Sequence, residues 1–526
     1  MSPCHEQPLS AQMKAVHNPD PTTGSSGAPC TKARLQRFIL LVALIGLALL
    51  SSRGLFQAYS YWHDELFTIG AASVESWADL FKIWIFPDTH PPFHLVLLKA
   101  WIGLFGSGEI STRLLSLIPA WLSLIAMAVA TRGGGFTRQL IAILFLGTSP
   151  LFSLYAQEVR PYAWALLFAT TAVTTMTLLW RSQRPGLAIR PSKLHRLRLG
   201  FGLSLLLLSL SHYFGLFYAA TLVALDLRSG APCLGRRRHG LILLVSLTAW
   251  PLLHRLFGGG GGRTAWIEPQ PVVGVIKAAF NGVFPAFSVA LALALMTTLA
   301  WALGERKRQQ SRPSRLHQEL RCDPNSKEAL KLLAGAATFL GLICLIDLIK
   351  PLSVERYFIV LLPALALALA DGGQALFNSG STQTRRATAI VLAVTIAMHF
   401  GHSQEVLSAK IYPQQNYKQL ASFLRATDLC SQGCSSNSAK KERLRPYFDT
   451  IPVVRIERDQ ADRWATVRLP FIGLHGEQEL IRPLLASHPE ASCWEPRQFS
   501  RSSTFVILNV DSEQQPQSFG LQRCAK

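Results

Sequence analysis

The chain has 526 residues, enough for more than one domain. Hydrophobic residues make up 49% and charged residues only 16%, too apolar for an ordinary soluble protein. The formal net charge is +21, but the basic residues fall mostly in short loops between apolar segments. Positive-inside topology produces that pattern, so nucleic acid is not an expected partner and the lipid bilayer is.

Residues 1–34 are polar, contain Pro, Ser and Gly, and read as a disordered cytoplasmic tail. They do not read as a cleavable signal, because the apolar segment begins only near Phe38. Phe38–Leu50 is the first span, and Lys32, Arg34 and Arg37 before it place the amino terminus in the cytoplasm. The loop Tyr61–His94 is therefore outside. Further apolar segments are Phe93–Phe105, Leu114–Ala130, Gln139–Tyr155 and Tyr162–Trp180. The basic loop after Trp180 (Arg181 to Arg198) belongs in the cytoplasm. Counting back puts Gln157–Arg160 outside, Arg132 and Arg138 inside, and Gly106–Ser111 outside. Phe93–Phe105 thus starts and ends on the same side. It is also shorter than the ~20 residues a span requires, so it reads as a helix lying in the interface.

The alternation continues with the short spans Phe201–Leu210 and Phe214–Leu227, joined outside by Ser211-His212-Tyr213. Leu241–Phe257 leads to an outer loop with the glycine run Gly258–Gly262, and Val272–Val283 reads as a second interfacial segment. Phe287–Leu303, the basic loop Arg306–Arg321, Ala329–Ile349, Tyr357–Ala370 and Ala387–Phe400 follow. The total is about eleven spans at the usual length, with the carboxyl terminus outside.

The membrane part covers residues 35–401, and from 402 to 526 the hydropathy is that of a small α/β domain. Tyr417–Leu424 and Glu479–Leu485 read as helices, Pro452–Ile456 and Thr504–Val510 as strands. Cys430, Cys434, Cys493 and Cys524 all fall in this outer domain, where an even set implies disulfides, with Cys430–Cys434 and Cys493–Cys524 as the expected pairing. A zinc site is the alternative, but Cys-x3-Cys has no nearby His partners.

Polar residues crowd at one membrane face. Trp62-His63-Asp64-Glu65 opens the first outer loop, and Asp88-Thr89-His90-Pro91-Pro92-Phe93-His94 closes it. A carboxylate there can serve a hydroxyl or amine acceptor as general base, while Asp64 could instead cap a helix. Neighbouring helical residues point about a third of a turn apart, so only one of Asp64 and Glu65 faces a given pocket. Gln157-Glu158-Val159-Arg160-Pro161-Tyr162 lies between two spans. Arg160 there either binds a phosphate at headgroup depth or snorkels. Glu355-Arg356-Tyr357 places a cation on the outer side against the positive-inside bias, which favours a phosphate ligand. His212 and Tyr213 are candidate substrate contacts, and a satisfied buried histidine is the bland alternative. The glycine run lacks the Gly-Lys-Ser/Thr ending of a P-loop.

Taken together, Trp62–Glu65, His90-Pro91-Pro92-Phe93-His94-Leu95, Leu104–Glu109 with Arg113-Leu114, Ser149-Pro150, Tyr155–Tyr162 and Glu355-Arg356-Tyr357 with Pro363 resemble the bacterial relatives of dolichyl-phosphate-mannose–protein mannosyltransferase. These are GT-C enzymes of the glycosyltransferase 39 and 83 kind, among them the aminoarabinose transferase that acts on lipid A. The resemblance covers roughly residues 35 to 400. It implies a polytopic α-helical membrane protein with interface helices in its first outer loop. It also implies transfer of a sugar from a polyprenyl-phosphate donor to an extracytoplasmic acceptor: an envelope lipid, a glycan or a protein.

The family's loop carboxylate maps onto Asp64, with Glu65 beside it. Arg160 and Arg356 are then expected to hold the donor phosphate, with Asp64 facing the acceptor instead. Trp62, His63, His90, Gln157, Glu158, Tyr162, His212, Tyr213 and Tyr357 are expected around the substrates. No cofactor is expected, since family members work without a tightly bound metal, though a divalent ion near Asp64 stays open. The rival from another class is a flippase for a lipid-linked saccharide, which would place ionisable residues near span centres. Asp226 and Asp347 lie near span ends instead. A homologue that binds sugar lipid without transferring it is a third reading.

Overall fold

The computed structural model describes residues 28–88, 90–183, 190–229, 232–257, 267–284, 324–379, 382–411, 416–436, 446–456, 467, 469–473, 480–496, 504–509 and 514–524. The glycine run Gly258–Gly262, the expected span Phe287–Leu303 and the basic loop Arg306–Arg321 lie outside these residues, as do residues 1–27 of the expected tail. The chain divides into two compact units, Met1–Val42 and Ala43–Lys526. The described part of the first is the opening of helix α1 (Ala28–Ser51), which begins ahead of the expected boundary at residue 34.

The second unit carries the rest. Eight helices among the described residues are long and apolar enough to cross a membrane, and a bent pair makes a ninth. The chain is a multi-pass membrane protein. Helix α5 (Glu109–Thr131) carries an exposed apolar stripe, with Ile118, Leu122, Ile125 and Val129 exposed at helical spacing and Leu115, Leu124 and Met127 buried.

Two elements differ from the sequence reading. The single span expected over Gln139–Tyr155 is two helices, α6 (Phe136–Thr148) and α7 (Pro150–Ala156), bent by 58°. Pro150 lacks an N–H and forces Ser149 out of the helical region, to ψ 133°. The second difference is at the short span Phe201–Leu210, which is the end of a longer helix, α9 (Pro191–Ser211). Its first turns hold Lys193, Arg196 and Arg198, so part of the expected loop is helical, with Pro191 at the favoured first position. Helix α10 (Tyr213–Leu227) follows after a single extended residue, His212.

The first loop contains α2 (His63–Ala72), the turn α3 (Trp77–Asp79), a π-helical turn at Leu80–Ile85 and α4 (Phe93–Phe105). Helix α4 and α12 (Val272–Val283), the two segments read as interfacial, are short apolar helices. Gly282 on α12 allows close approach, since a Cβ there would lie 2.7 Å from the Glu355 carbonyl oxygen. Then come α13 (Pro324–Ile349), a 3₁₀ segment at Glu355–Leu361, α14 (Leu362–Ser379) and α15 (Thr382–Ile411). Helix α15 runs through the expected domain boundary at 401–402 and ends ten residues later than that reading, at Ile411. Buried ion pairs tie spans together away from the loop: Arg138 with Asp371, and Arg181 with Glu328 at 2.7 Å.

Among the described residues the C-terminal domain holds a six-stranded mixed sheet with α16 (Tyr417–Ala426) and α17 (Ile481–Ser487). Its strands are β1 (Cys434–Ser436), β2 (Val453–Arg455), β3 (Phe471–Gly473), β4 (Ser492–Pro496), β5 (Phe505–Leu508) and β6 (Leu521–Arg523). The order is β2-β1-β3-β5-β4-β6, parallel over the first three and antiparallel beyond. The cysteines pair as Cys430–Cys434 and Cys493–Cys524. Peptide mapping of non-reduced protein should therefore recover these two linkages, with Cys233 and Cys344 as free buried thiols. Four free thiols in the C-terminal domain would contradict the arrangement.

Candidate active site

The site begins with how α2 starts. Trp62 is extended and stands at the N-cap, and Glu65 three residues on accepts the Trp62 N–H at 3.3 Å. This is half of a capping box, made by Glu65 and not by Asp64. Glu65 is fully buried. Its Oε1 accepts from Arg113 Nε at 3.3 Å and from the Val159 N–H at 3.1 Å, and its Oε2 accepts from Arg113 Nη2 at 2.8 Å. Glu65, expected beside Asp64 in a catalytic pair, therefore points the other way, into a closed ion pair. Arg113 carries the same signal that singles out Arg356, a cation in the expected outer turns of a span, yet the sequence alone does not pair it with Glu65.

Asp64, one residue earlier, faces the open side with its side chain 26% exposed. Its Oδ2 lies 3.6 Å from Arg356 Nη2 and 4.0 Å from Arg160 Nη2. The two predicted phosphate ligands thus converge on the predicted base. Burial raises the Asp64 pKa, but Arg160, Arg356, His63 and His90 outweigh it and hold it below the ordinary carboxylate value. In this arrangement Asp64 stands between the two guanidiniums and neutralises part of their charge.

Arg160 is held from behind. Its Nη1 donates to Thr68 Oγ1 at 3.0 Å and its Nη2 to His90 Nε2 at 3.4 Å. An arginine only donates, so His90 Nε2 accepts and its Nδ1–H faces Asp88 Oδ2, 3.5 Å away. Tyr357, Tyr162 and His212 form an aromatic wall, with His212 4.6 Å from Tyr357 and 5.4 Å from His90 between ring centroids. His212 Nδ1 accepts the Phe214 N–H at 3.1 Å and so caps α10. Burial, with the charges nearby, keeps its imidazole neutral, its pKa well below the usual value. Arg356 lies over the Tyr357 ring and Arg160 over Tyr162, at 5.5 and 6.0 Å.

Not every predicted residue joins this group. Gln157 turns away and donates to the Ser51 and Arg53 carbonyls, bracing the end of α1. Glu158 is buried against Lys410 Nζ at 3.3 Å; burial pushes its pKa up, Lys410 pulls it back, and the net shift is upward. Lys410 was missed because it lies past the residue where the membrane part was expected to end. Tyr213 bonds His254 Nδ1 at 2.9 Å, in the apolar cluster around Trp84 and Trp250, and leaves the site. Trp62 and His63 stay half-buried beside Asp64, with no hydrogen-bond partner for the Trp62 indole nitrogen among the described residues.

A cleft of about 350 Å³ opens beside Arg356, walled by Leu151, Leu154, Tyr155, Gly282 and Val406. Among the described residues no three His, Cys, Asp or Glu side chains gather as metal ligands.

No protein-family model and no curated protein matches the chain by sequence. Solved structures do match by fold. ArnT from Cupriavidus metallidurans in the apo state aligns with a TM-score of 0.54 at 12% identity, over 92% of this chain and 99% of that one. The same protein bound to undecaprenyl phosphate aligns at 0.57 and 13% identity over the same shares. The likeness shows the GT-C fold of membrane glycosyltransferases, with eight or more apolar spans and a small C-terminal sheet domain.

The Glu65–Arg113 pair gives an energetic prediction. Arg113→Met strands a buried carboxylate and should cost about 3–5 kcal/mol. Adding Glu65→Gln should restore part of that loss, because the stranded charge is gone. Thermal unfolding of the detergent-solubilised single and double variants reads both; a double-variant loss equal to the sum of the Arg113→Met and Glu65→Gln losses would mean the two side chains are not coupled.

Proposed function

We propose that the chain is a glycosyltransferase that moves a sugar from a polyprenyl-phosphate donor to an acceptor on the extracytoplasmic side of the plasma membrane. The observation that carries the reading is the convergence of Asp64, Arg160 and Arg356 at the end of a GT-C membrane bundle. It is supported by the basic clusters on the opposite loops and by a protein of the same fold that holds undecaprenyl phosphate.

In this reading the donor phosphate displaces Asp64 from the two guanidiniums. The freed carboxylate takes the proton of the acceptor hydroxyl or amine. A bond forms from that atom to the anomeric carbon as the bond from carbon to phosphate oxygen breaks, with inversion. The electron pair leaves with the polyprenyl phosphate, whose charge Arg160 and Arg356 hold. Cations placed in advance for a charge that develops on the leaving group are the largest catalytic contribution such a site offers. Glu65 contributes by fixing the direction of Asp64. No metal enters the scheme.

Two outcomes test it. Asp64→Asn should lower kcat by about 10²–10⁴, the range of general-base catalysis. It should leave donor KM unchanged or lower, because an anion that competes with phosphate is gone. Arg356→Ala should raise donor KM, and Glu65→Gln should be milder than Asp64→Asn. A donor KM that rises steeply in Asp64→Asn would remove the competition step. The pH profile is the second test. In the free enzyme the Asp64 carboxyl is held below its ordinary value despite burial and is ionised throughout above about pH 5, so its titration gives kcat/KM, which reports the free enzyme, no acid limb between about pH 5 and 7. A limb in that window that vanishes in Asp64→Asn would contradict the direction of the shift. Chelation by EDTA should leave the rate intact.

A further inference from the structure

The C-terminal domain does more than follow the last span. The short segment that launches α2, Ala58–Tyr61, is gripped from two sides. Arg113 takes one side, with Nη1 donating to the Tyr59 carbonyl at 2.8 Å and Nη2 to the Ser60 carbonyl at 3.2 Å. The C-terminal domain takes the other. Lys418 Nζ on α16 donates to the Ala58 carbonyl at 2.8 Å, and the Lys418 N–H to Ser60 Oγ at 3.3 Å. The Tyr447 hydroxyl accepts the Tyr61 N–H at 2.9 Å and donates to Glu109 Oε1 at 3.1 Å. Glu109, the first residue of α5, also pairs with Lys418 at 2.9 Å.

The Tyr447 side of this grip is buried. The Tyr447 ring lies 5.8 Å from that of Tyr61, and the Tyr61 hydroxyl is held in turn by Thr112 and the Ser107 carbonyl. Leu66 and Ile69 of α2 share one apolar core with Tyr417, Leu420, Phe423 and Leu424 of α16 and with Phe448. The segment needs such a grip, because Ala58 sits in the left-handed region at φ 44° and ψ 47°, which a non-glycine residue seldom adopts. The Tyr61 amide stands three residues before Asp64, so its position sets where the first turn of α2 begins.

We propose that Tyr447 is a positioning residue for Asp64: through the Tyr61 amide and Glu109 it fixes the start of α2, and the C-terminal domain completes the active site. The role in transfer rests on the reading under Proposed function; the grip on α2 does not. Tyr447→Phe removes the hydroxyl and leaves the ring in place. Lys418→Met, at a side chain 43% exposed, loosens the same segment with little risk to folding.

The experiment compares full-length wild type with both variants by hydrogen–deuterium exchange and by transfer from a polyprenyl-phosphate sugar in lipid nanodiscs. Exchange should rise in peptides covering Tyr59–Thr68 and stay unchanged in the strands β4 and β5. A misplacement near an ångström costs about a hundredfold, so kcat should fall about ten- to a hundredfold with donor KM within about twofold. Exchange that stays flat over Tyr59–Thr68, or that rises equally across the sheet, overturns the proposal, the second marking Tyr447 as a folding residue only. Local loosening with unchanged kcat overturns its catalytic half. If wild type transfers no sugar at all, the function proposed above fails, and the exchange data alone decide the grip on α2.

Discussion

Everything at the site depends on one buried carboxylate. Both oxygens of Glu65 are used, by Arg113, by the Trp62 amide and by the Val159 amide. Three stretches far apart in the chain are fastened at that point: the start of α2, the outer turns of α5 and the loop that carries Arg160. A helix turns about 100° per residue, so burying Glu65 on one side sends Asp64 to another. The direction of Asp64 is thus set by its buried neighbour. A buried pair of this kind is weak as a source of net stability, since desolvation offsets much of the attraction. Its value here is geometric: a single arrangement satisfies both oxygens.

The same logic extends outward. Arg160 is backed by Thr68 from α2 and by His90, which passes the contact on to Asp88. Arg356 comes from the 3₁₀ turn that precedes α14, which packs on α12 at a glycine. Two guanidiniums this close repel each other, and aromatic faces at Tyr162 and Tyr357 with Asp64 between them offset the repulsion. The cluster is therefore braced from several elements at once; under the function proposed above, cations fixed in this way would suit a charge that appears only as a bond breaks.

The sequence marks out Asp64, Arg160 and Arg356, because each breaks a local rule: charges at a membrane face, or cations on the side that positive-inside bias leaves poor; the structure brings the three together. The reading of Phe93–Phe105 as something other than a span rests on parity, since one apolar segment too many cannot be placed otherwise, and the structure has a short apolar helix there. What escaped was pairing over distance. Glu65 and Arg113 are 48 residues apart and Glu158 and Lys410 are 252 apart, and no local pattern joins them. Gln157 and Tyr213 sit in the right motifs yet face other partners, because a motif specifies position along the chain and not the direction of a side chain. The bend at Ser149-Pro150 was visible as a dipeptide, but apolar periodicity runs straight through it.

Distance separates the charges that hold the fold from those available for chemistry. Arg113–Glu65, Arg181–Glu328 and Lys410–Glu158 close at 2.7–3.3 Å, inside or near hydrogen-bond range, with both partners largely buried. Asp64 stands 3.6 and 4.0 Å from its two cations and is partly exposed. Its electrostatic attraction survives at that range, since it falls only as the inverse of separation. The directional hydrogen bonds that would lock the ions together do not. The carboxylate thus attracts both cations without locking to either, which is what the exchange with a phosphate proposed above requires. A tighter triad would be a structural element like the others, and a wider one would leave Arg160 and Arg356 to push each other apart.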